Sequence, residues 1–230
     1  MPELWRTQAS RIHNLAVEVC WRPAQGDVSG DFHDVIDLRD GRVVVVLGDA
    51  PGSDPDAAQL GEEVRFELRL AFRATDSGPE AMRRLDEILA RRHPEAVATA
   101  VCALLDPESG LAEVTNAGHL PVLLTSGTDA RFLDGRSEPP LGVKTERRAA
   151  AYPFQTGSAL FMFTDGLVER QEAARGDGLN TALGVARGLT GASAWASELA
   201  RRTTAELGQP TDDATVISAD LRRNEMGKFS

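Results

Sequence analysis

Four strand-like apolar runs in this chain each meet a carboxylate at one end, and any fold must account for that recurrence. Phe161-Met162-Phe163-Thr164 runs into Asp165-Gly166, and Val43 to Leu47 runs into Gly48-Asp49. Gly30-Asp31 stands just ahead of Phe32, and Asp212-Asp213 just ahead of Ala214-Thr215-Val216-Ile217. An apolar run that stops at an acid places a carboxylate at a strand mouth, and a neighbouring glycine adds backbone freedom there. A lone Asp-Gly is also what an ordinary turn looks like. The repetition asks for a common explanation, and a strand mouth is a good place for a metal ligand.

The intervening pattern says how the strands are arranged. Ala16 to Trp21 alternates as a strand, and the runs Phe32 to Leu38 and Arg42 to Leu47 flank Arg39-Asp40-Gly41, a strong hairpin signal. Closing that hairpin makes Asp31 and Asp49 neighbours. Two helices follow. The first spans Ala57 to Ala74 with Leu60, Val64, Leu68 and Ala71 on one face, and the second runs from Pro79 to Arg92 and stops before Pro94. Strands return at Ala98 to Leu105, Leu111 to Thr115, Pro121 to Thr125, Ala130 to Leu133, Ala149 to Phe154 and Ser158 to Phe163, with Thr156-Gly157 as the turn joining the last two. Val168 to Leu189 reads as helical in parts, Ala194 to Leu207 as a helix ended by Gly208 and Pro210, and Ala214 to Leu221 as a final strand. Strands, two helices, more strands, helices and a strand make an α+β chain, not the regular alternation of a doubly wound sheet. Short turns between consecutive strands imply antiparallel pairing. Residues 1–14 read as a short amphipathic helix, with Leu4, Trp5, Ile12 and Leu15 as its apolar contacts, serving as a cap on the domain or as a docking or homodimerisation segment. The division expected is an N-terminal extension over 1–15, one domain over 16–221 and a loose basic tail over 222–230.

Bulk properties narrow the function. At 230 residues, 42% hydrophobic and 26% charged, the chain suits one globular domain with a sizeable core. A net charge of −10 argues against nucleic-acid binding and favours bound cations or a basic partner. Cys20 and Cys102 have no neighbouring Cys or paired His at zinc spacing, so they read as small buried hydrophobes in a reducing compartment. With no apolar run of membrane-spanning length and charged residues in place of a signal core, a cytoplasmic location away from membranes is expected. Acids without nearby His or Cys suit magnesium or manganese, which prefer oxygen ligands. Two such cations align an in-line attack on phosphorus and lower the pKa of a bound water. On the residues alone this is a divalent-metal hydrolase.

The ordered set Arg22-Pro23-Ala24, Gly30-Asp31-Phe32-His33-Asp34, Gly48-Asp49, Asn116-Ala117-Gly118-His119-Leu120-Pro121, Pro140-Leu141-Gly142, Thr164-Asp165-Gly166-Leu167-Val168-Glu169 and Asp212-Asp213-Ala214-Thr215 resembles the SpoIIE-type branch of the metal-dependent Ser/Thr protein phosphatases, the PPM family. The resemblance runs from about Trp21 to Leu221. It implies two stacked antiparallel β-sheets flanked by helices, with two Mn²⁺ or Mg²⁺ ions at one end of the sandwich. By position, Asp49 resembles the acid bridging both ions, with the Ala50 carbonyl beside it. Asp165 and Asp212 resemble ligands of the second ion, with Asp213 the alternative to Asp212, and Asp31 an acid holding the first ion directly or through water. Asp49 and Asp165 are the residues on which catalysis is expected to depend. The implied reaction is attack of a metal-bridging hydroxide on phosphoserine or phosphothreonine. The implied substrate is a phosphorylated anti-anti-sigma-type regulator, and the implied role is control of a sigma factor.

The pattern departs from the family after Asp49. Where a basic residue and a second glycine are usual, Ser53 and Asp54 stand, ahead of Ala57-Ala58. The alternative function is therefore a catalytically weak phosphatase-fold module that binds a regulatory partner, and a hydrolase of small phosphorylated metabolites is a third reading. His119 lies in a turn-forming motif and reads as structural support before general acid; His33 and His93 read as surface or packing residues, and Arg22 as a candidate for approaching phosphate.

Overall fold

The computed structural model describes residues 5–23, 29–134, 138–170, 175–189 and 194–222. The loop expected at 24–28, residues 171–174 of the expected helical stretch and the tail beyond Arg222 lie outside the described residues. Among the described residues, eleven strands and four helices follow one another as β1 (Arg6–Ile12), β2 (Leu15–Arg22), β3 (Asp31–Asp37), β4 (Val43–Asp49), α1 (Pro55–Ala74), α2 (Gly78–Arg92), β5 (Thr99–Asp106), β6 (Leu111–Ala117), β7 (Leu123–Ser126), β8 (Asp129–Phe132), β9 (Ala150–Pro153), β10 (Ser158–Phe163), α3 (Arg175–Arg187), α4 (Trp195–Leu207) and β11 (Ala214–Leu221). A 3₁₀ turn, Asp165–Leu167, follows β10 directly.

The strands form two antiparallel sheets, a six-stranded one in the order β1-β2-β11-β10-β7-β8 and a five-stranded one in the order β3-β4-β5-β6-β9. Side-chain alternation explains how they stack. On β4, Val43, Val45 and Leu47 join Leu15, Val17, Leu160, Met162 and Ile217 of the other sheet in a core between the two layers. Val44 and Val46, on the opposite face, pack with Val64 and Leu68 of α1 and Met82 and Leu85 of α2. On β10 the division repeats, Phe161 and Phe163 facing Leu199 and Ala200 of α4 and Ala182 of α3. Each central strand is therefore covered on both faces, which is why its sequence is continuously apolar instead of alternating.

Two expectations change. Residues Arg6–Ile12 form a strand, not a helix; they pair with β2 through a two-residue turn in which His13 takes φ of 54°, and six of the seven are exposed. Backbone pairing to β2, not an apolar stripe, sets this segment's conformation. The strands β9 and β10, joined across Thr156-Gly157, belong to different sheets: β9 pairs with β6, and β10 with β7 and β11. The turn there carries the chain from one layer of the sandwich to the other.

Candidate metal centre

The hairpin β3–β4 brings its two acids together, with Asp31 and Asp49 opposite each other in the register. From the other sheet, β10 and β11 pair antiparallel up to Phe163 and Val216, and the Thr164 N–H donates to the Thr215 carbonyl at 3.0 Å. Asp165 then opens the 3₁₀ turn beside the stretch Asp212-Asp213 that leads into β11. The backbones here are very close: a Cβ on Gly166 would lie 1.9 Å from the Asp213 carbonyl oxygen, and one on Gly30 would lie 2.0 Å from that of Ala50. Glycine at these two positions lets the acid-bearing turns approach.

Crowding and burial show in the proton affinities. Burial pushes Asp31 up to about 7, while hydrogen bonds from Thr215 and Thr164 pull it down and the charges of Asp213 and Asp165 add to the rise. Burial pushes Asp49 up to about 8, and the charges of Asp31, Asp165, Asp212 and Asp213 raise it further. Carboxylates that repel one another in a partly desolvated space hold on to protons unless a cation enters among them. Asp213 is buried and acts on both Asp31 and Asp49; Asp212 is exposed, accepts the Asp213 N–H at 2.8 Å and acts on Asp49. The acids ring the strand ends without closing into a cage of three or more convergent His, Cys, Asp or Glu donors among the described residues.

Two clefts flank these acids. One, of about 270 Å³, is lined by Asp49, Asp165, Thr99, His119 and Leu179; the other, of about 280 Å³, by Asp31, Thr215, Trp21 and His33. A larger hollow of about 460 Å³ lies to the side, between the start of α1 and the end of α2. His119 is held by its turn: the Asn116 side chain accepts the His119 N–H at 2.8 Å and donates to the carbonyls of His119 and Leu120, and Thr99 bonds His119 Nδ1 at 2.9 Å. Burial drives its pKa down to about 4, so the ring is neutral near pH 7 and braces Thr99, the strand partner of Asp49. His33 stacks loosely with Trp21, and His93 bonds Glu63 at 2.9 Å. Arg22 donates to Gln209 at 2.8 Å. Asp54 has a local role, its carboxylate capping α1 by accepting the Ala57 N–H at 2.9 Å ahead of Pro55 at the first helical turn. Thr164 and Thr215, whose hydroxyls both reach Asp31, escape a reading that looks for carboxylates, although each stands within two residues of one in the motifs.

Two stacked antiparallel sheets with helices on both outer faces define the class as the PPM phosphatase fold. Residues 39–222 match the family model described as Stage II sporulation protein E, and the chain belongs to the SpoIIE family. Among solved structures, the RsbU and RsbW domains of a Mycobacterium tuberculosis protein share 26% identity at a TM-score of 0.81, over 88% of this chain and 58% of that one. The PP2C phosphatase domain of SpoIIE from Bacillus subtilis, solved with a fragment of its regulatory domain, superposes with a TM-score of 0.77 at 18% identity, over 96% of this chain and 63% of that one. RsbX in complex with magnesium gives 0.69 at 15% identity, over 94% of this chain and all of that one. The chain spans less than two thirds of the first two structures, and the matches at 18% and 15% identity speak to the fold alone. Among the described residues no helix is long and apolar enough to cross a membrane.

Proposed function

We propose that this chain is a Mn²⁺- or Mg²⁺-dependent protein phosphatase acting on phosphoserine or phosphothreonine, with a phosphorylated regulator of the anti-anti-sigma type as substrate and the cytoplasm as its location. The observation that carries the reading is the electrostatic coupling of Asp49 to Asp31, Asp165, Asp212 and Asp213 at neighbouring strand ends, which adds to burial in raising Asp49 to about 8. An all-oxygen donor set of this charge fits hard divalent cations and does not suit zinc. Asp31, Asp49, the Ala50 carbonyl, Asp165 and Asp212 would hold two ions, with Asp213 beside them. When bound, the ions supply a water of lowered pKa and offset the charge of the phosphoryl oxygens. Asp49 and Asp165, one from each sheet, orient the reacting centre, and neutral His119 steadies the Asp49 strand through Thr99.

A protein substrate suits the clefts. At about 270 and 280 Å³ each is smaller than the usual site for a free small molecule, but large enough for one phosphorylated side chain presented on a partner's surface. RsbX, which shares the fold, was solved in complex with magnesium, and the RsbU and RsbW domains occur together in one protein, in keeping with a cation and a protein partner here.

Hydrolysis of an aryl phosphate and of a phosphoserine peptide, with and without Mn²⁺, tests the proposal. Turnover should require the metal, and Asp49→Asn and Asp165→Asn should each lower it by more than about a hundredfold with the far-UV spectrum unchanged. Metal-independent turnover, or variants as active as the wild type, would sink it.

A further inference from the structure

Thr164 and Thr215 stand outside the ligand set, yet their hydroxyls donate to the same atom, Asp31 Oδ2, at 2.9 and 2.7 Å. Asp31 Oδ1 takes no hydrogen bond from the described residues. The Thr164 hydroxyl also accepts the Thr215 N–H at 2.9 Å, which commits its own proton to Asp31. The Thr164 N–H in turn donates to the Thr215 carbonyl at 3.0 Å, so the two residues form a closed ring across adjacent strands. Thr164 is 0% exposed and Thr215 4%, so both side chains are largely withdrawn from solvent. Asp31 comes from the five-stranded sheet and both threonines from the ends of β10 and β11, the two central strands of the six-stranded one, so these bonds cross the sandwich at the acid cluster.

We infer that Thr164 and Thr215 are positioning residues that hold Asp31 by one oxygen, leave Oδ1 alone to meet a cation, and thereby set the site's preference for a small octahedral cation over calcium. The inference rests on the metal-centre reading proposed above. Calcium accepts six to eight oxygens and commonly takes carboxylates in bidentate fashion, whereas magnesium and manganese favour octahedral sites with single oxygens and retained water. A carboxylate whose Oδ2 accepts from two buried hydroxyls turns bidentate only by giving up one of those bonds. The threonines thus deny calcium a ligand mode that it uses and keep the one that the smaller ions need.

Calorimetric titration of Mn²⁺ and of Ca²⁺ into the purified chain tests this without any assay of activity. In Thr164→Val and Thr215→Val the Kd for Mn²⁺ should rise about tenfold and that for Ca²⁺ by less than about twofold, narrowing the Mn²⁺/Ca²⁺ preference roughly fivefold. Thr164→Ser and Thr215→Ser, which keep the hydroxyl, should retain the wild-type preference. An unchanged preference in the valine variants, including an equal loss for both ions as general loosening would produce, overturns the inference while leaving the metal-centre reading intact. A wild-type chain that binds neither ion overturns both. If a valine variant does not fold, the cysteine variant, a weak donor, is compared with the serine variant at the same position, and equal preference in the two overturns the inference.

Discussion

His119 shows how far a single residue can be read. Its motif, Asn116 to Pro121, marks a turn, and the side chain does serve that turn through Asn116 and Thr99. What the motif does not carry is its proton affinity, which depends on the burial that the tertiary fold imposes. Folded His119 stays neutral down to about pH 4, while the unfolded chain takes up a proton near 6.5. Its share of stability is therefore full above about pH 6.5 and is lost as the pH falls towards 4. Asp31 and Asp49 have the opposite sign: their raised values favour the folded state at acid pH, and that share is lost as the pH rises through about 7 and 8. Comparing wild type with His119→Asn separates the two. Chemical unfolding should show the wild type's advantage shrinking by about 3 kcal/mol between pH 6.5 and 4. A difference that does not vary with pH would refute the assignment.

At the scale of elements, the two helix starts make an instructive pair. The start of α1 is written locally, with Asp54, Pro55 and the acidic Asp56 in succession. Asp54→Ala should cost about 1 kcal/mol in urea unfolding, and no measurable loss would leave the Ser53-Asp54 departure without this account. The start of α4 has no such signal. Its N-cap is Ala194, which makes no side-chain hydrogen bond, and the Ala196 N–H donates instead, at 2.9 Å, to Glu18 on β2, while the Ser197 hydroxyl bonds the same carboxylate. A cap delivered from 178 residues away leaves no trace in the local pattern. The edge strand β1 is similar: its mostly polar residues, six of the seven exposed, carry no period, and pairing with β2 orders them.

Across the whole molecule, the buried Asp86–Arg147 pair joins layers that are distant in sequence. Asp86 on α2 accepts Arg147 Nε at 2.9 Å, an Arg147 terminal nitrogen at 2.8 Å and the Gly142 N–H at 3.1 Å, while Arg147 also donates to the carbonyls of Pro139 and Pro140. Through Leu141, paired with Ala98, this holds the Pro140-Leu141-Gly142 segment against the strand leading to Thr99. Asp86→Ala leaves a guanidinium buried without its carboxylate and should destabilise the fold by about 3–5 kcal/mol in urea unfolding. Replacing both partners by apolar residues, as in Asp86→Leu with Arg147→Met, should recover part of that loss; a single variant of wild-type stability would contradict the role given to the pair.

Most strands and helices of the sandwich, β1 excepted, are legible in the sequence, because apolar period, turn residues and helix caps act over a few neighbours. The sequence by itself also determined that Asp31 and Asp49 face each other, because one hairpin connects them. Tertiary packing alone sends β9 and β10 into different sheets, brings the backbones of Gly166 and Asp213 together, and lets Thr164 and Thr215 reach across to Asp31. The hydrogen bonds among Asp31, Thr164 and Thr215 join residues 51 to 184 positions apart, and they arise from stacking two sheets whose apolar faces look alike in sequence whichever layer they cover.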